Sequence, residues 1–158
     1  ERNFITSLHM EPESMQEVNL HLQKKYKAIE NEEIRFEMVN CDDADIVLVA
    51  FGLIARICQK AAQLAREKGI KVGVFRPITL FPYPYNVLNK LADQVKGFLT
   101  VEMNAGQMLE DVKLAVNGKI PVEFLGRMGG IIPTPEEILH KLEEKLACPA
   151  GRFVGEMV

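Results

Sequence analysis

The chain has 158 residues, of which 47% are hydrophobic and 26% charged, and its formal net charge is -3. These proportions predict one globular domain with its own core and argue against disorder. The small, evenly spread charge excludes nucleic acid and membrane surfaces as expected partners, and no apolar run approaches the ~20 residues that cross a bilayer.

The cysteines and histidines show no metal-ligand spacing. Cys41, Cys58 and Cys148 form no C-x-x-C pair, and their odd number does not suggest a disulfide framework. The sequence therefore predicts reduced thiols in a cytoplasmic protein, without a zinc or iron–sulfur site in this chain. The chain opens on "ERNF", with neither an initiator Met nor a signal pattern, so we expect it to be part of a longer polypeptide.

The first predicted element is an amphipathic helix that begins at Glu13 or Ser14, just after Pro12. Its apolar residues recur at intervals of three and four, which predicts one packed stripe: Met15, Val18, Leu22, Tyr26 and Ile29. The segment 34–40 then alternates apolar and polar residues, which is typical of an edge strand.

Strands and helices alternate through the rest of the chain. Continuous apolar runs predict strands buried on both faces, and helical spacing predicts the elements between them. The predicted strands are 46–51, 70–75, 96–102 and a fourth core strand at 120–126, and the helices are 53–68, 85–95, 107–116 and 135–146. Thr134 and Glu137 predict a capping box at the last helix. This order predicts an α/β fold, a three-layer α/β/α sandwich around a mainly parallel, doubly wound sheet.

The usual cofactor loop of such a sheet is missing. The turn after the first core strand reads "AFGLIARICQ", with one glycine and no hydroxyl residue, and "GRMGGIIP" ends in Pro133 instead of opening a helix. A diphosphate cradle needs repeated glycines and free amides at a helix start. The sequence therefore predicts no bound cofactor and no metal in this chain.

Three segments in fixed order give the sequence a family resemblance. They are "FRPITLFPYP" and "TVEMNAGQ", which begin at the ends of two predicted strands, and "GGIIPTP", which follows the last one. Together they resemble the transketolase C-terminal-like domain in the alpha subunits of 2-oxoacid:ferredoxin oxidoreductases. The family's Arg-x-x-x-x-x-Pro stretch corresponds to Arg76–Pro82, and its Glu-x-Asn-x-Gly-Gln motif to Glu102, Asn104, Gly106 and Gln107. The resemblance covers roughly 45–146.

The resemblance implies a function for the parent enzyme. The family oxidatively decarboxylates a 2-oxoacid to an acyl-CoA and passes electrons to ferredoxin, with thiamine diphosphate, Mg and iron–sulfur clusters held elsewhere. The resemblance leaves 2-oxoglutarate, a branched-chain 2-oxoacid and pyruvate open as substrates, and the general similarity of the sequence favours the 2-ketoisovalerate or 2-oxoglutarate type. This chain has no Gly-Asp-Gly motif and no cluster cysteines, so the resemblance implies a domain that is inactive alone. Its partners would be the other domains and subunits, with ferredoxin and CoA as partners of the whole enzyme.

The domain plan follows from the same pattern. We expect a connecting segment with the amphipathic helix at 1–33, the transketolase C-terminal-like domain at 34–147, and a tail at 148–158.

Glu102 and Arg76 are the catalytic candidates, because both lie at carboxyl ends of predicted parallel strands. The favoured interpretation of Glu102 is structural, as an acceptor for the amides around Gly106 and Gln107. For Arg76 we expect a salt bridge, with Glu102 on a neighbouring strand as its candidate partner, and a contact to phosphate or a second subunit as the alternative.

The predicted interface residues lie near the same strand ends. Phe81, Tyr83 and Tyr85 stand between prolines as rigid exposed aromatics, a common kind of interface anchor, and Asn104 and Gln107 are further candidates.

Three functions remain open at this point. The chain is a structural and assembly domain of a multisubunit 2-oxoacid oxidoreductase, a free-standing flavodoxin-like or CoA-type binder, or a domain that contributes residues to catalysis in its parent. The missing phosphate loop disfavours the second.

Overall fold

The computed structural model describes residues 7–147, so the predicted tail, 148–158, lies outside the described residues. A five-stranded sheet forms the centre, in the order β1-β3-β2-β4-β5. β1 runs antiparallel to β3, and the other neighbouring strands are parallel. The strands are β1 (Phe36–Val39), β2 (Ile46–Val49), β3 (Val72–Pro77), β4 (Gly97–Glu102) and β5 (Val122–Gly126).

Helices cover both faces of this sheet, as predicted for a three-layer sandwich. The helices are α1 (Pro12–Glu32), α2 (Gly52–Glu67), α3 (Tyr85–Leu91), α4 (Gln107–Val116) and α5 (Pro135–Ala147). One core lies between the sheet and α3 and α4, around Phe75, Phe98 and Val112. A second core lies under α2 and α5, around Leu48 and Ile138. In the described part of the chain, no helix combines the length and hydropathy that crossing a bilayer requires.

The apolar runs explain the central strands. Each residue of β4 is buried, and β2 is buried except at its first residue, because helices cover both faces of these strands. β5 corrects the prediction of a fourth core strand, since among the described strands it pairs only with β4 and all five of its residues are partly exposed. An apolar run does not distinguish a central strand from a strand at the margin of the sheet.

The predicted edge strand is confirmed, because within residues 7–147 β1 pairs only with β3, at the other margin of the sheet. Its direction brings the chain into the sheet at the carboxyl ends of the parallel strands. The carbonyl of Arg35 accepts hydrogen bonds from the amides of Ile78 and Thr79, at 2.9 and 3.1 Å, in the loop that follows β3.

Helix α1 begins one or two residues earlier than predicted, with Pro12 inside its first turn. Proline suits that position because the first amides of a helix have no intrahelical acceptor. None of its 21 residues is fully buried, and its apolar stripe is only partly covered by the described residues: Tyr26 is exposed and the other four stripe residues are partly exposed.

Helix α5 begins with the predicted capping box. The amide of Glu137 donates to Thr134 Oγ1 at 3.2 Å, and the amide of Thr134 donates to Glu137 Oε2 at 2.8 Å. These bonds satisfy amides that the helix itself leaves unpaired.

Candidate functional site

The polar residues between β4 and α4 form a closed hydrogen-bonded turn. Glu102, the last residue of β4, is 1% exposed. Its Oε2 accepts hydrogen bonds from the amide of Met108 at 2.8 Å and from Asn104 Nδ2 at 3.0 Å, and its Oε1 accepts from the amide of Leu109 at 2.9 Å. The carboxylate therefore lies at the positive end of α4, where helix amides stabilise an anion.

Asn104 satisfies the preceding amides of the same helix. Its Oδ1 accepts from the amides of Gly106 at 2.7 Å and Gln107 at 3.0 Å. Gly106 has a φ of 106°, a left-handed conformation in which glycine is the preferred residue. Asn104 thus satisfies amides at the start of the helix although Gly106 occupies the N-cap position, and Glu102 accepts from amides two residues beyond those predicted for it.

The turn after β4 touches the turn after β5 through Gly126. A Cβ at Gly126 would lie 2.7 Å from the backbone oxygen of Asn104 and 2.4 Å from Phe124 Cζ, so only glycine fits without rearrangement. Sequence reasoning missed this contact, although a glycine that ends an apolar strand was the available signal.

Tyr83 differs from its prediction as an exposed anchor, because it is only 3% exposed. Its ring packs edge-on against Tyr85, at 5.2 Å between centroids, and its hydroxyl has no hydrogen-bond partner among the described residues. Burial raises the pKa of Tyr83, and the nearby carboxylates of Asp111 and Glu102 raise that pKa further. Proline-flanked aromatics can fold inward, and local sequence does not reveal their direction.

Tyr85 is tied to a residue that sequence reasoning did not single out. Its hydroxyl donates to Asp111 Oδ1, and this bond is the main reason that its pKa rises to about 12. Thr100 was also missed: it is fully buried in β4, and its Oγ1 has no partner in the part of the chain that the structure describes. A hydroxyl within an apolar strand was the signal for it.

Phe81 and Gln107 are exposed. Residues of a protein interface are expected to be exposed when the chain is separated from its partner. Phe81 is 64% exposed, and its ring meets that of Tyr26 in α1 edge-on at 6.3 Å between centroids.

Arg76 does not pair with Glu102. It faces Glu37 across β1 and β3, and its Nη1 donates to Glu37 Oε2 at 2.8 Å. The proposed partner was wrong because β2 lies between β3 and β4. The Nε of Arg76 is buried and has no partner within the described chain.

The chemistry of these residues does not fit the cofactors that the family resemblance implies. Within residues 7–147, no three histidine, cysteine or acidic side chains converge as metal ligands would. Cys41 and Cys58 are separately buried, and burial raises the pKa of Cys58 to about 12, which disfavours the thiolate that ligates a cluster. The first amides of α4 are occupied by Glu102 and Asn104, so they offer no place to a diphosphate.

Comparisons with known proteins find relatives among oxidoreductases. Residues 44–138 match the family model "Pyruvate:ferredoxin oxidoreductase core domain II". The ketoisovalerate oxidoreductase subunit VorB of Methanothermobacter marburgensis is 44% identical over 90% of this chain and 40% of its own length. The 2-oxoglutarate synthase subunit KorA of the same organism is 37% identical over 64% of this chain and 27% of its own length. The chain thus spans less than half the length of these curated relatives.

Solved structures share the fold. A 2-oxoglutarate:ferredoxin oxidoreductase from Magnetococcus marinus matches 87% of this chain and 24% of its own chain, with a TM-score of 0.71 and 20% identity. A split-gene transketolase, described as an inactive tetramer of four beta subunits, matches 71% of this chain and 41% of its own, with a TM-score of 0.60 and 20% identity. These likenesses confirm the transketolase-like α/β fold that the sequence predicts.

Proposed function

The chain belongs to the pyruvate:ferredoxin oxidoreductase core domain II family, and we propose that it is a structural and assembly domain of a multisubunit 2-oxoacid:ferredoxin oxidoreductase. The family match over residues 44–138, together with 44% identity to VorB over 90% of the chain, is the observation that carries this proposal. Under this proposal, the chain has no catalytic activity when it is separated from the rest of the enzyme.

The proposed reaction removes CO₂ from a 2-oxoacid, transfers the acyl group to the thiol of CoA and passes two electrons to ferredoxin. Thiamine diphosphate, Mg and the iron–sulfur clusters belong to other parts of the enzyme, since the described residues do not fit them. The preferred substrate is 2-ketoisovalerate, because VorB is 44% identical and KorA 37% identical to this chain. The parent enzyme is proposed to be cytoplasmic.

In this proposal residues 1–33 form the connecting segment and 34–147 the folded domain. The interface candidates keep their proposed role except for Tyr83, whose buried ring supports the surface from below. Phe81, Tyr85, Asn104 and Gln107 are at least partly exposed near the ends of β3 and β4.

A free-standing flavodoxin-like or CoA-type binder is not favoured. The family match over residues 44–138 and the 44% identity to VorB relate the chain to oxidoreductase subunits instead, and side chains already occupy the helix-start amides of α4.

The experiment uses the intact enzyme that contains this chain. With 2-ketoisovalerate and CoA we expect reduction of ferredoxin, faster than with 2-oxoglutarate, and no reduction by the chain alone. Absence of substrate-dependent reduction with either 2-oxoacid would contradict the proposal.

Glu102→Gln and Arg76→Met in the same enzyme separate assembly from catalysis. We expect any loss of activity to follow loss of assembled enzyme, measured by size-exclusion chromatography, with unchanged turnover per assembled complex. Normal assembly with lost turnover would instead assign these residues a catalytic contribution.

A further inference from the structure

The two ends of the sheet carry loops of different chemistry. Four parallel strands bring the segments that follow them to one end, here named the carboxyl rim and made of 50–53, 78–85, 103–106 and 127–134. The segments that lead into these strands meet at the opposite end, here named the amino rim and made of 40–45, 68–71, 92–96 and 117–121.

Charge is concentrated at the amino rim. Its segments carry eight charged residues, whereas the carboxyl-rim segments carry one, Arg127. Ion pairs further mark the amino rim as a hydrated surface, with Lys96 2.9 Å from Asp45 and Lys119 2.8 Å from Asp93. Depletion of charge is typical of the buried centre of a protein interface.

Exposed apolar side chains show the opposite distribution. Of the sixteen large hydrophobic side chains that are exposed among the described residues, nine lie in the carboxyl-rim segments and none in the amino-rim segments. Met128, Ile131 and Phe81 are 63%, 62% and 64% exposed. Solvated monomers rarely leave apolar patches of more than a few hundred Å² uncovered.

Helix α1 extends the same surface. Tyr26 meets Phe81 of the carboxyl rim, and the backbone just before β1 is hydrogen-bonded to the loop at Ile78 and Thr79. Since Tyr26 is exposed and the other residues of the apolar stripe of α1 are partly exposed, the stripe continues the incompletely covered surface away from the sheet.

We propose that the carboxyl rim and the apolar stripe of α1 form one domain interface, covered in the complete oxidoreductase subunit by the part of that subunit that this chain lacks. The inference rests on the proposed function and names the surface through which the domain assembles. The chain covers 40% of the length of VorB from each of two Methanothermobacter species, so a subunit of that kind has ample chain to cover the rim. Interfaces between domains of one chain bury roughly 600–1,500 Å².

The chemistry of the rim selects the kind of occupant. Its single charged side chain, Arg127, is already paired with Glu137 at 3.1 Å, so the surface offers little to an anionic ligand. The covering surface is therefore apolar and weakly charged. A second copy of this chain is the competing occupant that the experiment distinguishes.

Hydrogen exchange compares the chain alone with the complete subunit. We expect amides in 78–85 and 127–132 to exchange at least about tenfold more slowly in the subunit, as buried interface segments do, and amides in 40–45 and 92–96 to be unchanged. Equal exchange at the carboxyl rim in both samples would overturn the proposal.

A matched pair of variants tests the same surface by stability. Ile131→Glu and Leu114→Glu each place a charge at an exposed apolar position, 62% and 68% exposed, but Leu114 lies on α4 away from the rim. In the chain alone, we expect both variants to unfold at the wild-type temperature. In the complete subunit, we expect Ile131→Glu alone to raise protease cleavage about tenfold or more, because it would bury an unpaired charge.

The other possible outcomes of these experiments also test what covers the carboxyl rim. If the chain alone is a dimer that Ile131→Glu dissociates, with no effect in the subunit, the occupant is a second copy and the proposal fails. If both variants act alike in the subunit, the rim is not special and the proposal fails. If the carboxyl rim is protected from hydrogen exchange in a subunit whose enzyme does not oxidise 2-oxoacids, the proposed interface stands and the proposed function is contradicted.

Discussion

At the residue scale, Glu102 is a carboxylate held inside the protein by three donors. Glutamine at this position keeps the shape but turns an NH₂ group toward amides that also donate. We expect Glu102→Gln to lower the free energy of unfolding by about 1–3 kcal/mol, since a buried amide loses its acceptor. Urea unfolding of the chain measures this change.

Glu110→Gln is the matched control for Glu102→Gln. Glu110 lies in the same region, but its side chain is 75% exposed and only 3.6 Å from Lys113 at the surface. We expect a change of less than about 0.5 kcal/mol, as is usual for exposed ion pairs. Equal losses in the two variants would show that the buried bonds of Glu102 contribute nothing specific.

Residue roles were partly readable from sequence. The motif placed Glu102 and Asn104 at a helix start, where carboxylates and amides have a known structural use, and the hydrogen bonds confirm it. The partner of Arg76 was not readable, because it depends on the strand order and on the direction of β1.

At the element scale, Gly126 joins the turns that follow β4 and β5. Alanine there would place its Cβ 2.7 Å from a backbone oxygen of Asn104, which cannot move without shifting the β4–α4 turn. We expect Gly126→Ala to destabilise the chain by about 1–3 kcal/mol, the usual effect of overpacking. The shift in the urea midpoint, at constant slope, is the measurement.

Gly97→Ala is the comparison for Gly126→Ala within the same sheet. A Cβ at Gly97 would be 3.4 Å from its nearest neighbour, the backbone oxygen of Pro121. The expected change is within about 1 kcal/mol, because alanine also reduces the freedom of the unfolded chain. If Gly126→Ala proved equally mild, the contact between the two turns would not be tight.

The cap of α5 makes stability depend on pH. The backbone hydrogen bond at Thr134, followed by Arg127, lowers the pKa of Glu137 from its ordinary value of 4.5. A lowered folded-state pKa adds stability above pH 4.5, and this contribution disappears as the pH falls through the folded-state value. We therefore expect Glu137→Gln to melt below wild type at pH 7 and the gap between them to be smaller at pH 3.

Thermal unfolding followed by circular dichroism checks the role of Glu137. Glu136→Gln, at the neighbouring position in the first turn, is the control and should show a smaller difference at pH 7. A constant gap between wild type and Glu137→Gln at both pH values would contradict the ionic contribution.

The periodicity of the sequence predicted where strands and helices lie better than it predicted which of their residues are buried. Each predicted strand and helix within the described residues exists, because apolar spacing reports which faces are covered. The partial exposure of β5 and the inward turn of Tyr83 depend on neighbours distant in sequence, which no local pattern records.

At the scale of the whole molecule, the fold separates its charged and apolar loops. Alternating strands and helices predicted a mainly parallel sheet covered on both faces, and parallel strands gather their following loops at one end. The sequence contained the compositions of both rims, but only the strand order and directions show which loops lie together.

The reversed direction of β1 has a practical consequence for handling the molecule. A group inserted between α1 and β1 would lie at the carboxyl-rim end of the sheet and compete with whatever covers the proposed interface. A reporter group inserted next to Gly118 avoids that competition, because this residue lies at the opposite end of the sheet and a Cβ there would meet nothing within 4 Å. The backbone polarity of one four-residue strand thus decides where the molecule can be labelled without obstructing its own assembly.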